Sequence, residues 1–267
     1  MVASNKNQQF AVLCGLPRTG STLLINLLMQ NPNIHGEGAS LLCELMWQTQ
    51  QLCDNHPPLF ANNKHGTKKD IVSALPSLYY KDIEKPIIIE KGRTWCHPAN
   101  TQMWRENINP DQKFVVLVRP IEDVVKSLVS LRIKNNHQGD LYEDLMQPGA
   151  EPIYRAAEAI ALCKTQPQEN FLYIDYRDLV SDPLKVLDLI YDFYDWDKFQ
   201  HNTEKVEQVF AEDDQYHGLD GMHKIRETIS VEKVNVDLPP KVVEFCDELN
   251  EMVYDKQIDG EWAFDHS

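Results

Sequence analysis

No stretch of this chain approaches the roughly 20 apolar residues a membrane-spanning helix needs, so no spanning segment is expected. The polar start, Met1-Val2-Ala3-Ser4-Asn5-Lys6, lacks the apolar core of a secretory leader, and none is expected. The six cysteines (14, 43, 53, 96, 163 and 246) form no C-x-x-C pair. Their scatter predicts reduced thiols in a cytoplasmic protein rather than disulfides or a zinc site. The nine histidines show no H-x-x-x-H or H-E-x-x-H spacing, and adjacent Cys96-His97 are poorly placed to share one ion, so no metal is expected. Positive charge is scarce: 26 Lys and Arg stand against 41 Asp and Glu, a net charge of −15. That balance argues against nucleic acid as a partner. It leaves room for a small anionic ligand, because a local cluster of cations can invert the field within a cleft.

What is present is an alternation of strands and helices, with no repeats or low-complexity tracts. Strands are expected at Phe10–Cys14, Pro86–Glu90, Lys113–Val118 and Phe171–Asp175, with a weaker one near Asn33–His35. Near-continuous apolar runs such as Phe114-Val115-Val116-Leu117-Val118 suit strands covered on both faces. Helices are expected at Ser21–Gln30, Ile121–Ile133, Pro183–Tyr194 and Pro239–Tyr254, and Asp182-Pro183 is an N-cap followed by a first-turn proline. The pattern predicts an α/β fold, a P-loop NTPase-like open and mostly parallel sheet with helices on both faces. Residues 1–267 are read as one domain, with helical or loop excursions near 41–83, 135–152 and 200–236 that either wall an acceptor pocket or decorate the surface. Ligands of such sheets lie beyond the carboxyl ends of the strands.

The strongest local signal is Gly15-Leu16-Pro17-Arg18-Thr19-Gly20-Ser21-Thr22, between the first strand and the first helix. Such a turn aims backbone N–H groups and the positive helix end at one point, where an oxyanion is stabilised. The spacing is that of G-x-x-x-x-G-K-[ST], but Ser21 stands where the lysine belongs, and Arg18 offers a replacement cation. A second anion site is suggested at the end of the strand Lys113–Val118. Arg119 stands at its carboxyl end, and Ser127 lies on the inward stripe of the next helix with Val124, Leu128 and Leu131. A serine there needs a partner: either a carbonyl one turn back or, with Arg119, a phosphate.

With this pair the chain resembles the sulfotransferase family, whose sulfuryl donor is 3′-phosphoadenosine 5′-phosphosulfate (PAPS), over roughly residues 10–195. The resemblance is closer to its tyrosylprotein-type and bacterial branch than to the cytosolic phenol and steroid enzymes. It implies that Pro17, Arg18, Thr19, Gly20, Ser21 and Thr22 hold the 5′-phosphosulfate and that Arg119 and Ser127 hold the 3′-phosphate. Tyr176, in Tyr176-Arg177-Asp178-Leu179, is implied to lie near the nucleotide unless it is an ordinary half-buried tyrosine. Lys224, in His223-Lys224-Ile225-Arg226, is implied to close over it unless the segment is a solvated loop. Lys91 resembles a lysine set against the transferring group, the alternatives being a surface lysine or a partner for Glu90. Arg18 and Lys91 would serve catalysis on the leaving side.

Glu37, in His35-Gly36-Glu37-Gly38, matches the family's base, with a helix cap as the alternative and His35 and His97 as runner-up bases. Partial burial would raise a carboxylate there toward a useful pKa. One departure stands out: an arginine often found a turn after the phosphate serine is Leu131 here, with Arg132 beside it. The resemblance implies in-line transfer to a hydroxyl of a small-molecule, lipid-like or sugar-like acceptor, with no metal required. Leu41–Trp47, Leu75–Tyr80, Trp95 and Trp104 are candidates for the acceptor's walls. The alternatives are a metal-dependent P-loop-type nucleotide kinase, disfavoured by Ser21, or a non-catalytic nucleotide-binding protein. Oligomeric state is not legible.

Overall fold

A computed structural model describes residues 8–210, 212–230, 234–254 and the backbone of 261–262. The segment Met1–Lys6, from which no leader was expected, lies outside the described residues. The elements run β1 (Gln9–Gly15), α1 (Ser21–Leu28), β2 (Ile34–Gly36), α2 (Leu42–Asn55), α3 (Pro57–Ala61), α4 (Thr67–Tyr79) and β3 (Ile87–Lys91). They continue with α5 (Pro98–Asn107), β4 (Phe114–Val118), α6 (Ile121–Lys134), α7 (Tyr154–Cys163), β5 (Phe171–Asp175), α8 (Tyr176–Ser181), α9 (Pro183–Tyr194), α10 (Pro240–Tyr254) and β6 (Glu261–Trp262). The strands order as β2-β3-β1-β4-β5-β6, and every pairing is parallel. The fold is therefore the expected α/β sheet.

Period-two alternation splits each central strand between two cores. From β1 and β4, Val12, Cys14, Phe114, Val116 and Val118 face a core with α2, α5, α6, α7 and α10. Ala11, Leu13, Val115 and Leu117 face the other core, with α1, α8 and α9. Both faces are covered, as the unbroken apolar runs require. Asp182 caps α9 by accepting the Lys185 N–H at 3.1 Å, as its position before Pro183 predicts.

The 41–83 excursion is mostly helical, α2 to α4, and its apolar side belongs to the core. Leu42, Met46, Tyr80, Trp95 and Trp104 are all buried, and the two tryptophans pack edge to face at 4.9 Å. These residues, expected to wall an acceptor pocket, instead join the packing of α2 and α5 beneath the sheet. The physical reason is area: large rings contribute most to stability where they leave water completely.

Candidate active site

At its carboxyl end β1 pairs with β4, and the Leu16 N–H donates to the Leu117 carbonyl at 3.0 Å. Gly15 sits beside Leu117 with φ 121°, and a Cβ there would lie 2.0 Å from the Leu117 carbonyl oxygen. Only glycine fits that approach and that dihedral. The chain then turns through Leu16–Gly20 into α1. Gly20 is the left-handed N-cap of the helix at φ 74°, and Arg18 also holds a positive φ of 59°. Left-handed backbone at a long side chain is uncommon and is characteristically kept where a loop serves a ligand. Thr19 is buried and closes the turn by donating to the Leu16 carbonyl at 2.9 Å.

Because β4 neighbours β1, Arg119 arrives beside this loop. It is buried, its Nη1 donates to the Arg18 carbonyl at 2.8 Å, and its guanidinium stacks 4.2 Å above the Tyr176 ring. Its Nε is buried with no hydrogen-bond partner among the described residues. An unpaired donor on a buried cation is costly, and it suits Arg119 to hold an anion. Ser127 bonds neither to a carbonyl one turn back nor to Arg119: its Oγ accepts from Arg18 Nε at 3.1 Å. Arg132 does not replace the missing arginine at 131, since both its terminal nitrogens are committed to Asp144, at 2.6 and 2.7 Å.

Lys91 ends β3, opposite Leu13 of β1, so it reaches the same cavity from the other side. Burial pushes its ammonium down to about 8, Glu212 pulls it up, and Arg93 and Arg18 add to the depression. It is not paired with Glu90. Alternation sends Glu90 into the core, where Tyr80 OH donates at 2.6 Å, Trp95 Nε1 at 2.8 Å, and Ser40 Oγ completes the set.

The loop residues Pro17 to Thr22, Lys91, Arg119, Ser127, Tyr176 and Lys224 thus line one cavity, together with Arg93 and Arg226. Glu37 does not line it. Its carboxylate follows the end of β2, half exposed, and lies 2.8 Å from His35 Nε2. It is not a helix cap either: Leu41 is the N-cap of α2, and Ser40 accepts the Leu42 N–H. His97 caps α5, its Nδ1 accepting from Ala99 N–H at 3.2 Å, which removes it from the runner-up bases.

Described residues of the 200–236 segment, by contrast, wall the cavity: Met222 to Arg226 line it, and Arg18 Nη1 donates to the Met222 carbonyl. His223 lines the cavity beside Lys91. Asp214 Oδ1 lies 2.6 Å from its Nδ1, and Asp214 Oδ2 accepts its backbone N–H at 3.0 Å. Burial draws Asp214 upward, but those two hydrogen bonds outweigh it and hold the carboxyl below its ordinary value. Burial lowers the His223 imidazole, Asp214 and Glu212 pull it back up, and Lys91 adds to the lowering. Glu212 Oε2 is 3.0 Å from the same Nδ1 but makes no hydrogen bond, since a single ring N–H serves Asp214. The Glu212 carboxylate also presses on Gly38, where a Cβ would come within 1.7 Å of Oε1.

A sequence model described as the sulfotransferase family matches residues 11–201. The chain belongs to the sulfotransferase family. No curated protein sequence matches it. Among solved structures, a sulfotransferase domain from the curacin biosynthetic pathway is similar at 16% identity, covering 91% of this chain and 97% of that one, TM-score 0.52. A sulfotransferase from Alicyclobacillus acidocaldarius is similar at 12% identity, covering 92% and 94%, TM-score 0.54. At these identities the likeness speaks for the fold. Among the described residues no helix is long and apolar enough to cross a membrane.

In this sulfotransferase Arg93, Glu212 and Asp214 carry no signal in the sequence, and His223 and Arg226 stand out there only as neighbours of Lys224. Glu212, His217 and His223 also bring one potential metal-ligand atom each within 4.8 Å of one another. Spacings of five and six residues escape the H-x-x-x-H search that predicted no such group. The Nδ1 of His223 is engaged by Asp214.

Proposed function

We propose that this chain transfers a sulfuryl group from PAPS to a hydroxyl of a small acceptor. The observation that carries the reading is the convergence of the Pro17–Thr22 turn and Arg119, from two adjacent strand ends, on one cavity, with Arg119 Nε buried and unpartnered among the described residues. In this reading Pro17 to Thr22 and the N-terminus of α1 hold the 5′-phosphosulfate, while Arg119 and Ser127 hold the 3′-phosphate. Tyr176, stacked on Arg119, borders the nucleotide, and Lys224 covers it. When bound, PAPS supplies an activated sulfuryl group on a phosphate leaving group.

The chain's own task is electrostatic. Arg18 and Lys91 face the charge that grows on the leaving oxygens, and the loop N–H groups are fixed before the reaction starts. Glu37 is carried as an acceptor-side carboxylate, held by His35. Residues 1–267 are taken as one catalytic domain working in the cytoplasm, and a net charge of −15 keeps nucleic acid from the partner list.

Adenosine 3′,5′-bisphosphate, AMP and ATP, each with and without Mg²⁺, test the reading by thermal shift. The bisphosphate at about 100 times its dissociation constant should add roughly 2.7 kcal/mol, and AMP far less. Equal stabilisation by AMP and the bisphosphate would remove the two-site reading, and Mg²⁺-dependent stabilisation by ATP alone would point to the kinase.

A further inference from the structure

The family's expected base, Glu37, has no face on the cavity, and His35 and His97 are engaged elsewhere. The acceptor's proton therefore needs another destination. We propose that His223 is the general base, with Asp214 holding its ring and Nε2 open to the donor cavity. The inference rests on the sulfuryl-transfer reading above and adds the proton step to it.

Asp214 grips His223 at two points, one carboxylate oxygen on the backbone N–H and the other on Nδ1. A neutral imidazole carries one N–H. Placing it on Nδ1, toward Asp214, leaves the lone pair on Nε2, which has no protein partner among the described residues. A carboxylate that fixes tautomer and orientation in this way is the arrangement that makes a histidine an effective base. The charged and titratable groups around the ring are Asp214, Glu212 at 3.0 Å, the His217 ring at 5.0 Å between centroids, and Lys91 across the cavity. Burial, with a smaller contribution from Lys91, keeps the resting ring from holding a proton too tightly, and the two carboxylates favour the imidazolium that forms.

The step balances as follows. The proton of the acceptor hydroxyl passes to Nε2 while the acceptor oxygen bonds to sulfur. The bond from sulfur to the leaving phosphate oxygen breaks, and adenosine 3′,5′-bisphosphate keeps that electron pair. The imidazolium then returns its proton to water through the open side of the loop.

The test uses the full chain with PAPS and three acceptor probes: 2-naphthol, 1-hexanol and water. His223→Gln should lower turnover by roughly 10²–10⁴, the usual share of general-base catalysis, with affinity for the bisphosphate nearly unchanged. Asp214→Asn should retain part of the activity. It should also move the acid limb of the kcat profile to lower pH, since the carboxylate that favours the imidazolium is gone. A residue that only pinned the loop would not move that limb. Nitrogen NMR of the wild-type histidines provides a second measurement that needs no acceptor: His223 should carry its proton on Nδ1. Undiminished turnover in His223→Gln, or a proton found on Nε2 of the resting ring, overturns the proposal. So does a loss of that size in Glu37→Gln with His223→Gln active. If the wild type fails to bind the bisphosphate at all, the fault lies with the donor reading instead.

Discussion

Arg18 Nε donates to Ser127 Oγ at 3.1 Å, so the cation of the loop proposed for the 5′-phosphosulfate is held by the hydroxyl proposed for the 3′-phosphate. The two sites are thus one electrostatic unit built across adjacent strand ends. The contact exists because β1 and β4 approach at Gly15 and Leu117, which sets the Arg18 loop against α6.

Substitution should separate the two halves of that unit. Arg119→Ala is expected to remove most of the preference for adenosine 3′,5′-bisphosphate over AMP, because hydrogen bonds to charged groups contribute about 1.5–3 kcal/mol. Ser127→Ala removes the other contact proposed for the 3′-phosphate and the Ser127 bond to Arg18, whose guanidinium the Met222 carbonyl still holds. It should lower bisphosphate affinity with little change in melting temperature. Calorimetric titration of both ligands into each variant is the measurement, and a preference that survives Arg119→Ala would remove that residue from the 3′-phosphate site.

Gly15→Ala should be among the most damaging single-methyl changes in the chain. The new Cβ would meet the Leu117 backbone, which has no flexible end to yield, and φ of 121° is unfavourable for alanine besides. Separation of β1 from β4 would disturb the centre of the sheet. The expected loss exceeds about 3 kcal/mol, beyond the range of ordinary point substitutions. Chemical denaturation of the purified variant measures it, and a wild-type midpoint would show that the strands can part at little cost.

Much of this architecture was readable because its signals are local. Phe114–Val118 and Phe171–Asp175 are strands covered on both faces, and their apolar runs say so without help. The Gly15–Thr22 turn declares itself by a few residues in a row, and Arg119 by standing at the end of a run. Other features depend on distant partners. Trp95 and Trp104 look alike as core or as pocket wall until α2 and α5 are placed. Arg132 reads from the sequence as available for a phosphate, but Asp144, twelve residues on, closes around it. Glu212, Asp214 and His223 lie in a segment with no helical or strand period. Nothing in their order shows that the loop folds back over β1 and β3. Glu37 is a further case, a local match whose side chain lies against His35, a contact that its position in the sequence does not announce.

Catalysis is expected to proceed in a chelator. Arg18, Lys91, Arg93, Arg119, Lys224 and Arg226 all border the donor cavity, an inversion of charge within a chain of net −15. That cluster supplies the neutralisation which Mg²⁺ provides on the phosphates of a P-loop kinase. Turnover of PAPS with 2-naphthol in EDTA should match turnover in buffer. Loss in EDTA with recovery on adding Mg²⁺ would return the kinase alternative. Recovery on adding Zn²⁺ alone would draw attention to Glu212, His217 and His223.

The last prediction concerns pH and Lys91. Its folded-state pKa of about 8 lies below the ordinary 10.5 because burial disfavours the ammonium, despite Glu212. The unfolded chain therefore binds more protons between those values, and stability should rise as pH climbs from about 8 to 10.5 and fall as pH drops through 8. Ligand binding should follow the opposite sign. An anion placed against Lys91 favours the charged form and raises its pKa, so the complex takes up a proton at pH values above about 8. Affinity for adenosine 3′,5′-bisphosphate should decline as pH rises through that region. Calorimetry in buffers of different ionisation enthalpy should report uptake approaching one proton. Lys91→Met should bind the bisphosphate more weakly at neutral pH, lose the proton uptake, and show a flat affinity profile across the same range. Unchanged proton uptake in that variant would assign the titration to another group, and would place Lys91 away from the bound phosphates.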